Sequence, residues 1–385
     1  MLECQRHRFQ LPDDLHYLNC AYMAPLAREV EDAGLKGMAR RRDPSTILTS
    51  DFFAQSDSLR ERFARLIGGS DPRRVAIIPA VSYGIATAAR NAPVGRGQNI
   101  VILGEQFPSN VYAWMRKAAE AGGELRTVDR PAKGKPSPGA AWNERLLETI
   151  DADTAVVALP VVHWADGTRF DVAAVGRRAR EVGALFVIDG TQSIGAMPFD
   201  VEEVAPDALV VAAYKTLFGP YQNGLAWFGE RFDGGVPLEE PWAAREGSEL
   251  FVAGRLDYVQ AYRPAAARYD VGERANQIQL PMLNAALDMV LEWRPERVQD
   301  YCAKLLGPFE DAFREAGFDL EDGAWRGAHL FGLRSRRGID AEATAAALRR
   351  ARVFVSVRGA AIRVAPQVYN DRPDLEALAA TLRSL

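Results

Sequence analysis

Polar and apolar residues along this chain follow two rhythms. Between about residues 75 and 215, short unbroken apolar runs alternate with stretches whose apolar positions recur at helical spacing. The runs "VAIIPA" (75–80), "NIVILGE" (99–105), "TAVVALPVVHW" (154–164), "LFVID" (185–189) and "ALVVAAYK" (208–215) lack the alternation of a half-exposed strand. Each predicts a short strand buried on both faces, and "GELRTVD" (123–129) adds another. Between them, 81–92, 110–123 and 171–184 read as helices, the second ending in paired glycines. The segment 131–141, "PAKGKPSPGAA", reads as an exposed loop. Short strands alternating with helices predict an α/β fold with a mostly parallel central sheet covered on both faces.

After about residue 250 the rhythm changes. Helical patterns at 276–293 and 295–317 are followed by strand-like "AHLFGLRS" (328–335) and "VFVSVRGAAIRVAP" (353–366), with a helix at 340–351 between them and another at 371–385. This predicts a smaller α+β unit with antiparallel strands. There is no internal repeat and no sustained low-complexity segment.

Length and composition narrow the function. A chain of 385 residues suggests two domains, and 48% hydrophobic with 25% charged residues is ordinary for a globular protein. The net charge of −4 leaves no basic footprint for nucleic acid or an anionic membrane. No apolar run is long enough to span a bilayer, and "MLECQRHRFQLPDDL" is too polar for a signal peptide, so a cytoplasmic enzyme is expected. Three cysteines without CxxC spacing and four scattered histidines indicate neither a disulfide framework nor a metal site.

Lysine usage then singles out one position. Of 47 Lys plus Arg, only six are lysines: Lys36, Lys117, Lys133, Lys135, Lys215 and Lys304. Lys215 closes an apolar strand, where a snorkelling lysine and a chemically active one are both open readings. A desolvated amine can lose its proton and attack a carbonyl, which a guanidinium cannot. Asp189 ends another apolar strand and needs a partner there, for example a protonated ring nitrogen, although a loop or helix-cap Asp is the plain alternative. "PAVSYGIATAARN" offers small residues and Ser82 at a strand-to-helix turn, where N–H groups suit a phosphate. Open α/β sheets bind ligands at the carboxyl ends of their strands, so Ser82, Phe107, His163, Asp189 and Lys215 are expected to converge.

"VIDGTQSIGA" followed by "AAYKTLFGPYQNGLAWF" resembles the class V aminotransferase family of fold-type I pyridoxal-phosphate enzymes, which includes cysteine desulfurases, kynureninases and epimerase-like relatives. The resemblance runs from "YLNCAYMAPL" to "IRVAPQVYND". It implies an N-terminal segment (1–20) joined to the small domain, a large cofactor-binding domain (21–255) and a small C-terminal domain (256–385). By the same resemblance, Lys215 is the Schiff-base lysine, Asp189 the pyridine-nitrogen partner and Gln192 the ligand of the ring hydroxyl. Val81 and Ser82 form the phosphate turn, and Tyr214 hydrogen-bonds the phosphate. Phe107 lies over the cofactor face where desulfurases carry His, so proton transfer there falls to another group. Trp164 occupies a position often held by Asn beside cofactor and substrate. His163, next to it, is a candidate proton carrier, a satisfied core histidine being the alternative. Arg363, flanked by Ile362 and Val364, is the substrate-carboxylate ligand, with Arg358 as a helper. "RYDVGERANQ" matches the segment that reaches the partner subunit's cofactor phosphate, with Arg274 or Asn276 in place of the usual Thr, which implies a homodimer with shared sites.

The reaction is open at this level. No cysteine follows Cys302, which argues against a persulfide relay on a C-terminal loop. The main expectation is an aminotransferase acting on an α-amino acid. Phe107 and Tyr214 pull toward a kynureninase-like or C–S lyase activity, epimerisation is a further possibility, and a non-catalytic metabolite-binding paralogue is the alternative from another class.

Overall fold

The computed structural model describes residues 2–131, 137–252, 254 and 257–385. Part of the expected 131–141 loop and the expected boundary at 255/256 lie outside the described residues.

Seven strands form the central sheet: β1 (Val75–Ile78), β2 (Asn99–Leu103), β3 (Glu124–Val128), β4 (Thr154–Pro160), β5 (Leu185–Asp189), β6 (Ala208–Ala212) and β7 (Gly224–Phe228). Their order is β1-β7-β6-β5-β4-β2-β3. Only β7 runs antiparallel to its neighbours. The unbroken apolar runs have the expected cause. On β6, Leu209 and Val211 face one core, while Ala208, Val210 and Ala212 face the other. Successive side chains of a strand point to opposite faces, so a strand covered twice has no polar position to alternate with.

The smaller unit carries a four-stranded antiparallel sheet of β8 (Phe318–Asp319), β9 (Phe331–Ser335), β10 (Ser356–Arg358) and β11 (Ala361–Val364), in the order β10-β11-β9-β8. The strand-like piece at 353–366 is therefore not one strand. Gly359, at φ +54°, turns it into a two-residue hairpin that pairs Arg358 with Ala361 and Ser356 with Arg363. Directly paired residues share a sheet face, and so do residues two apart. Arg358 and Arg363 consequently project from the same side.

Two long-range joints tie the units together. His16–Tyr17 pairs in parallel with Val353–Phe354, and Gln5 N–H donates to the Val368 carbonyl at 2.7 Å. Helix Gln279–Trp293, which the sequence assigns to the C-terminal unit, packs on helices Arg28–Arg40 and Ala54–Leu66, and its apolar residues belong to the larger core. A third joint sits at Gly167, in the loop after β4. Its φ is +77°, and a Cβ there would overlap the Leu330 carbonyl that precedes β9. Only glycine accommodates both the left-handed backbone and that approach.

Gly167→Ala is expected to lower stability by about 2–3 kcal/mol, from overpacking and backbone strain together. Urea unfolding read by intrinsic fluorescence measures it, and an unchanged midpoint would show that the joint yields without cost.

Candidate active site

Parallel strands bring their carboxyl ends to one edge of the sheet. At that edge β1, β2, β4, β5 and β6 end and β7 begins, around a cavity of about 300 Å³. That is room for one small ligand held by several loops.

Lys215 stands three residues beyond β6 and borders the cavity, although only 7% of its surface is exposed. Burial pushes its amine down from 10.5 to about 8, with nearby Asp189 opposing the fall and Arg363 and Arg358 adding to it. Nζ lies 5.4 Å from the centre of the Phe107 ring and 5.5 Å from that of Tyr214. No hydrogen bond or ion pair holds Nζ among the described residues. Asp189 is the last residue of β5. Burial pushes its carboxyl up, and it is opposed by Thr191, whose N–H donates to Oδ1 at 3.0 Å, and by Lys215. An amine and a carboxyl are thus held at one cavity wall, each short of full compensation.

Gln192 follows in the turn after β5. Its Nε2 donates to the Ala21 carbonyl at 3.1 Å, while Oε1 is buried without a partner. After β1 the chain turns directly into helix Val81–Asn91, whose Ala80 N-cap gives no side-chain hydrogen bond. The N–H groups of Val81 and Ser82 therefore have no partner among the described residues, and both residues border the cavity. Gly84, one turn in, allows this end of the helix to lie against Val210 of β6, which a Cβ would strike. Phe107, after β2, and Trp164, after β4, meet edge to face with ring centres 5.5 Å apart. Tyr214 packs against Tyr221 with ring centres 4.5 Å apart and planes tilted by 53°.

The structure thus gathers Lys215, Asp189, Gln192, Val81, Ser82, Phe107, Tyr214 and Trp164 around one cavity. It does not bring His163 there. The ring is buried against Trp142, with Nε2 3.3 Å from the Gly104 carbonyl and Nδ1 3.6 Å from Asp166. The following Trp164, which begins the turn closed by Gly167 N–H donating to the His163 carbonyl at 2.9 Å, borders the cavity in its place. Arg363 and Arg358 lie behind Trp164, outside the cavity wall. In the 272–276 segment, Arg274 is locked in a buried ion cluster with Asp270, which also pairs with Arg60, and Asn276 Oδ1 caps the next helix.

Thr191, Tyr221 and Asn223 also border the cavity and were not singled out from the sequence. Thr191 was legible as the residue two beyond an Asp, where an Asx turn forms. Tyr221 and Asn223 lie in the β6–β7 connection and return to the same sheet edge only because β7 is antiparallel.

The wall suits pyridoxal phosphate on three counts: open N–H groups at a helix start for a phosphate, a buried carboxyl that lacks a cation, and a lone amine. The model of the family described as aminotransferase class-V matches residues 37–378. The uncharacterized aminotransferase YcbU of Bacillus subtilis (strain 168) is 26% identical over 83% of this chain and 81% of its own length. A cysteine desulfurase of Enterobacter sp. (strain 638) is 25% identical over 76% of this chain and 71% of its own. The apo structure of a cysteine desulfurase from Thermococcus onnurineus NA1 superposes with a TM-score of 0.84 at 18% identity, covering 100% of this chain and 98% of that one, which bears out the expected fold type I. The match of fold, and of a family model over most of the length, places this chain in the class V aminotransferase family of pyridoxal-phosphate-dependent enzymes.

Proposed function

We propose that this enzyme transaminates an α-amino acid, with Lys215 as its single proton carrier. The observation that carries the reading is the composition of the cavity wall. Among the described residues bordering it, Lys215 provides the only amine, and neither an imidazole nor a thiol is present. Transamination needs one base that takes a proton from the substrate α-carbon and returns it to a neighbouring carbon on the same side. A lysine near neutrality suffices for both moves.

Bound here, pyridoxal phosphate would supply the electron sink that makes the α-proton acidic. Lys215 would hold it covalently through Nζ. Asp189 would keep a proton on the ring nitrogen, Gln192 would meet the ring hydroxyl, and the N–H groups of Val81 and Ser82 would take the phosphate. Phe107 would pack on the ring face and exclude water, with no proton to give. Arg363 and Arg358 supply the positive charge for the substrate carboxylate.

A lyase reading keeps one specific support. The packed Tyr214–Tyr221 pair borders the cavity, and burial holds the Tyr214 hydroxyl above its usual range, so it stays protonated and could serve a leaving group. A persulfide relay fits less well. Cys20 and Cys302 are buried off the wall, and burial pushes the Cys20 thiol up to about 12. The rim beside the cavity carries exposed Tyr22, Met23 and Leu26, tied to the site by Ala24 N–H donating to the Tyr214 carbonyl at 2.9 Å. This apolar rim supports a homodimer, which light scattering would test.

Four outcomes check the assignment. Purified protein supplied with the cofactor should show a visible absorption band that Lys215→Ala removes. One amino acid among alanine, glutamate, aspartate, cysteine and kynurenine should bleach it to the amine form with release of the keto acid. Release of a side-chain fragment without bleaching would indicate a lyase, and absence of any band would leave a binding paralogue. Asp189→Asn should retain the band yet slow turnover by about 10²-fold or more. Finally, an amine at about 8 is roughly one-tenth unprotonated at pH 7, against less than one-thousandth for an ordinary lysine. Trapping of a simple aldehyde on Lys215 by borohydride, followed by mass spectrometry, should therefore rise with pH with a midpoint near pH 8; a midpoint near 10.5 would show a solvated amine.

A further inference from the structure

Most buried guanidiniums of this protein have an acid beside them. Arg130 pairs with Asp166, and Arg60 pairs with Asp270. Arg358 and Arg363 differ. They share one face of the β10–β11 hairpin, and neither has an acidic partner among the described residues. The Nε of each is buried without a hydrogen bond. Arg363 is 2% exposed, and burial together with Arg358 pushes it down to about 10. Two adjacent cations with spare donors and no counter-ion make a site prepared for a carboxylate.

That pair does not border the cavity. What lies across it is Trp164. The Arg358 guanidinium stands 5.4 Å from the indole centre and the Arg363 guanidinium 5.9 Å. The same ring system meets Phe107 edge to face, and the Phe107 ring lies 5.4 Å from Lys215 Nζ. The Trp164 backbone is fixed, because its carbonyl accepts from Arg363 Nη1 at 2.8 Å and the loop is docked through Gly167. Its side chain is held more lightly. The residue is half-buried, and its polar tether is Nε1–H donating to the Glu105 carbonyl at 2.7 Å. Glu105 lies in an exposed turn at φ +52°.

We propose that Trp164 is a specificity-determining residue, whose indole shields Arg358 and Arg363 from the cavity and turns aside only for a ligand that brings a carboxylate to them. The inference rests on the reading of the cavity as an amino-acid site. An amine without a carboxylate gains no ion pair to offset the stacked cations and the Glu105 hydrogen bond, so the shield stays closed to it. A carboxylate replaces both cation–π contacts with paired, charge-assisted hydrogen bonds.

The shield can be tested without turnover. Cofactor-free protein is treated with phenylglyoxal, which modifies accessible guanidiniums, and labelling of Arg358 and Arg363 is followed by mass spectrometry. Trp164→Ala should raise their labelling rate by about tenfold or more, and Trp164→Phe should lie between it and the unaltered protein. The Phe variant keeps a ring in place and guards against failure of the Ala variant to fold. In a second measurement on cofactor-loaded protein, perturbation of the visible band reports dissociation constants for L-alanine and ethylamine. Trp164→Ala should tighten alanine about tenfold and leave ethylamine within about twofold. Equal labelling in all three proteins, or equal changes for both ligands, would overturn the proposal. Absence of a visible band would overturn the cofactor reading instead, while the labelling still decides whether the indole shields the pair.

Discussion

A sheet covered on both faces has one place for ionisable groups, its strand ends, and burial there is costly unless each charge finds a partner. The site follows from how this constraint is met and where it is left unmet. Asp166 is fully provided for: Arg130, Arg334 and Thr168 all donate to it, and its carboxyl lies well below the usual range because His163 and the two arginines favour its charged form despite its burial. That network binds the loop after β4 to β9 of the smaller unit. Asp270 does the same for the helix at Ala54–Leu66 and the segment after Tyr269. Lys215, Asp189 and the arginine pair are the groups left short. The shifted ionisation of Lys215 and Asp189 marks the carboxyl-end edge of the central sheet, where the fold forgoes stability for groups that still have something to bind.

Much of this was legible in the sequence. The doubly buried strands announced themselves through missing alternation, and the rarity of lysine in an arginine-rich chain drew attention to Lys215. Residues at or within four positions of strand ends, such as Asp189, Gln192 and Phe107, could be placed because a strand end fixes where the next side chains emerge. Side-chain direction was harder. His163 and Trp164 are neighbours in a loop, and which one faces the cavity depends on the docking of that loop through Gly167 against Leu330, a contact between residues more than 160 positions apart. The hairpin that aligns Arg358 with Arg363 was hidden inside a strand-like stretch whose one turn signal is Gly359. Tyr221 was missed because its position depends on the direction of β7, which local pattern does not encode.

The first residues of the chain add a constraint of order. Ala21 accepts the hydrogen bond that orients Gln192, and the segment just before it is anchored by pairing with Val353–Phe354 and with Ala365. On the ribosome residues 16–21 emerge more than 300 positions ahead of the strands they pair with at 353–365. The large sheet can assemble while they wait. Closing so long a loop is slow compared with forming local helices and neighbouring strands. The cavity wall around Gln192 is therefore finished only once residues 353–365 have been made, which keeps a reactive amine from being presented in its completed setting before the smaller unit exists.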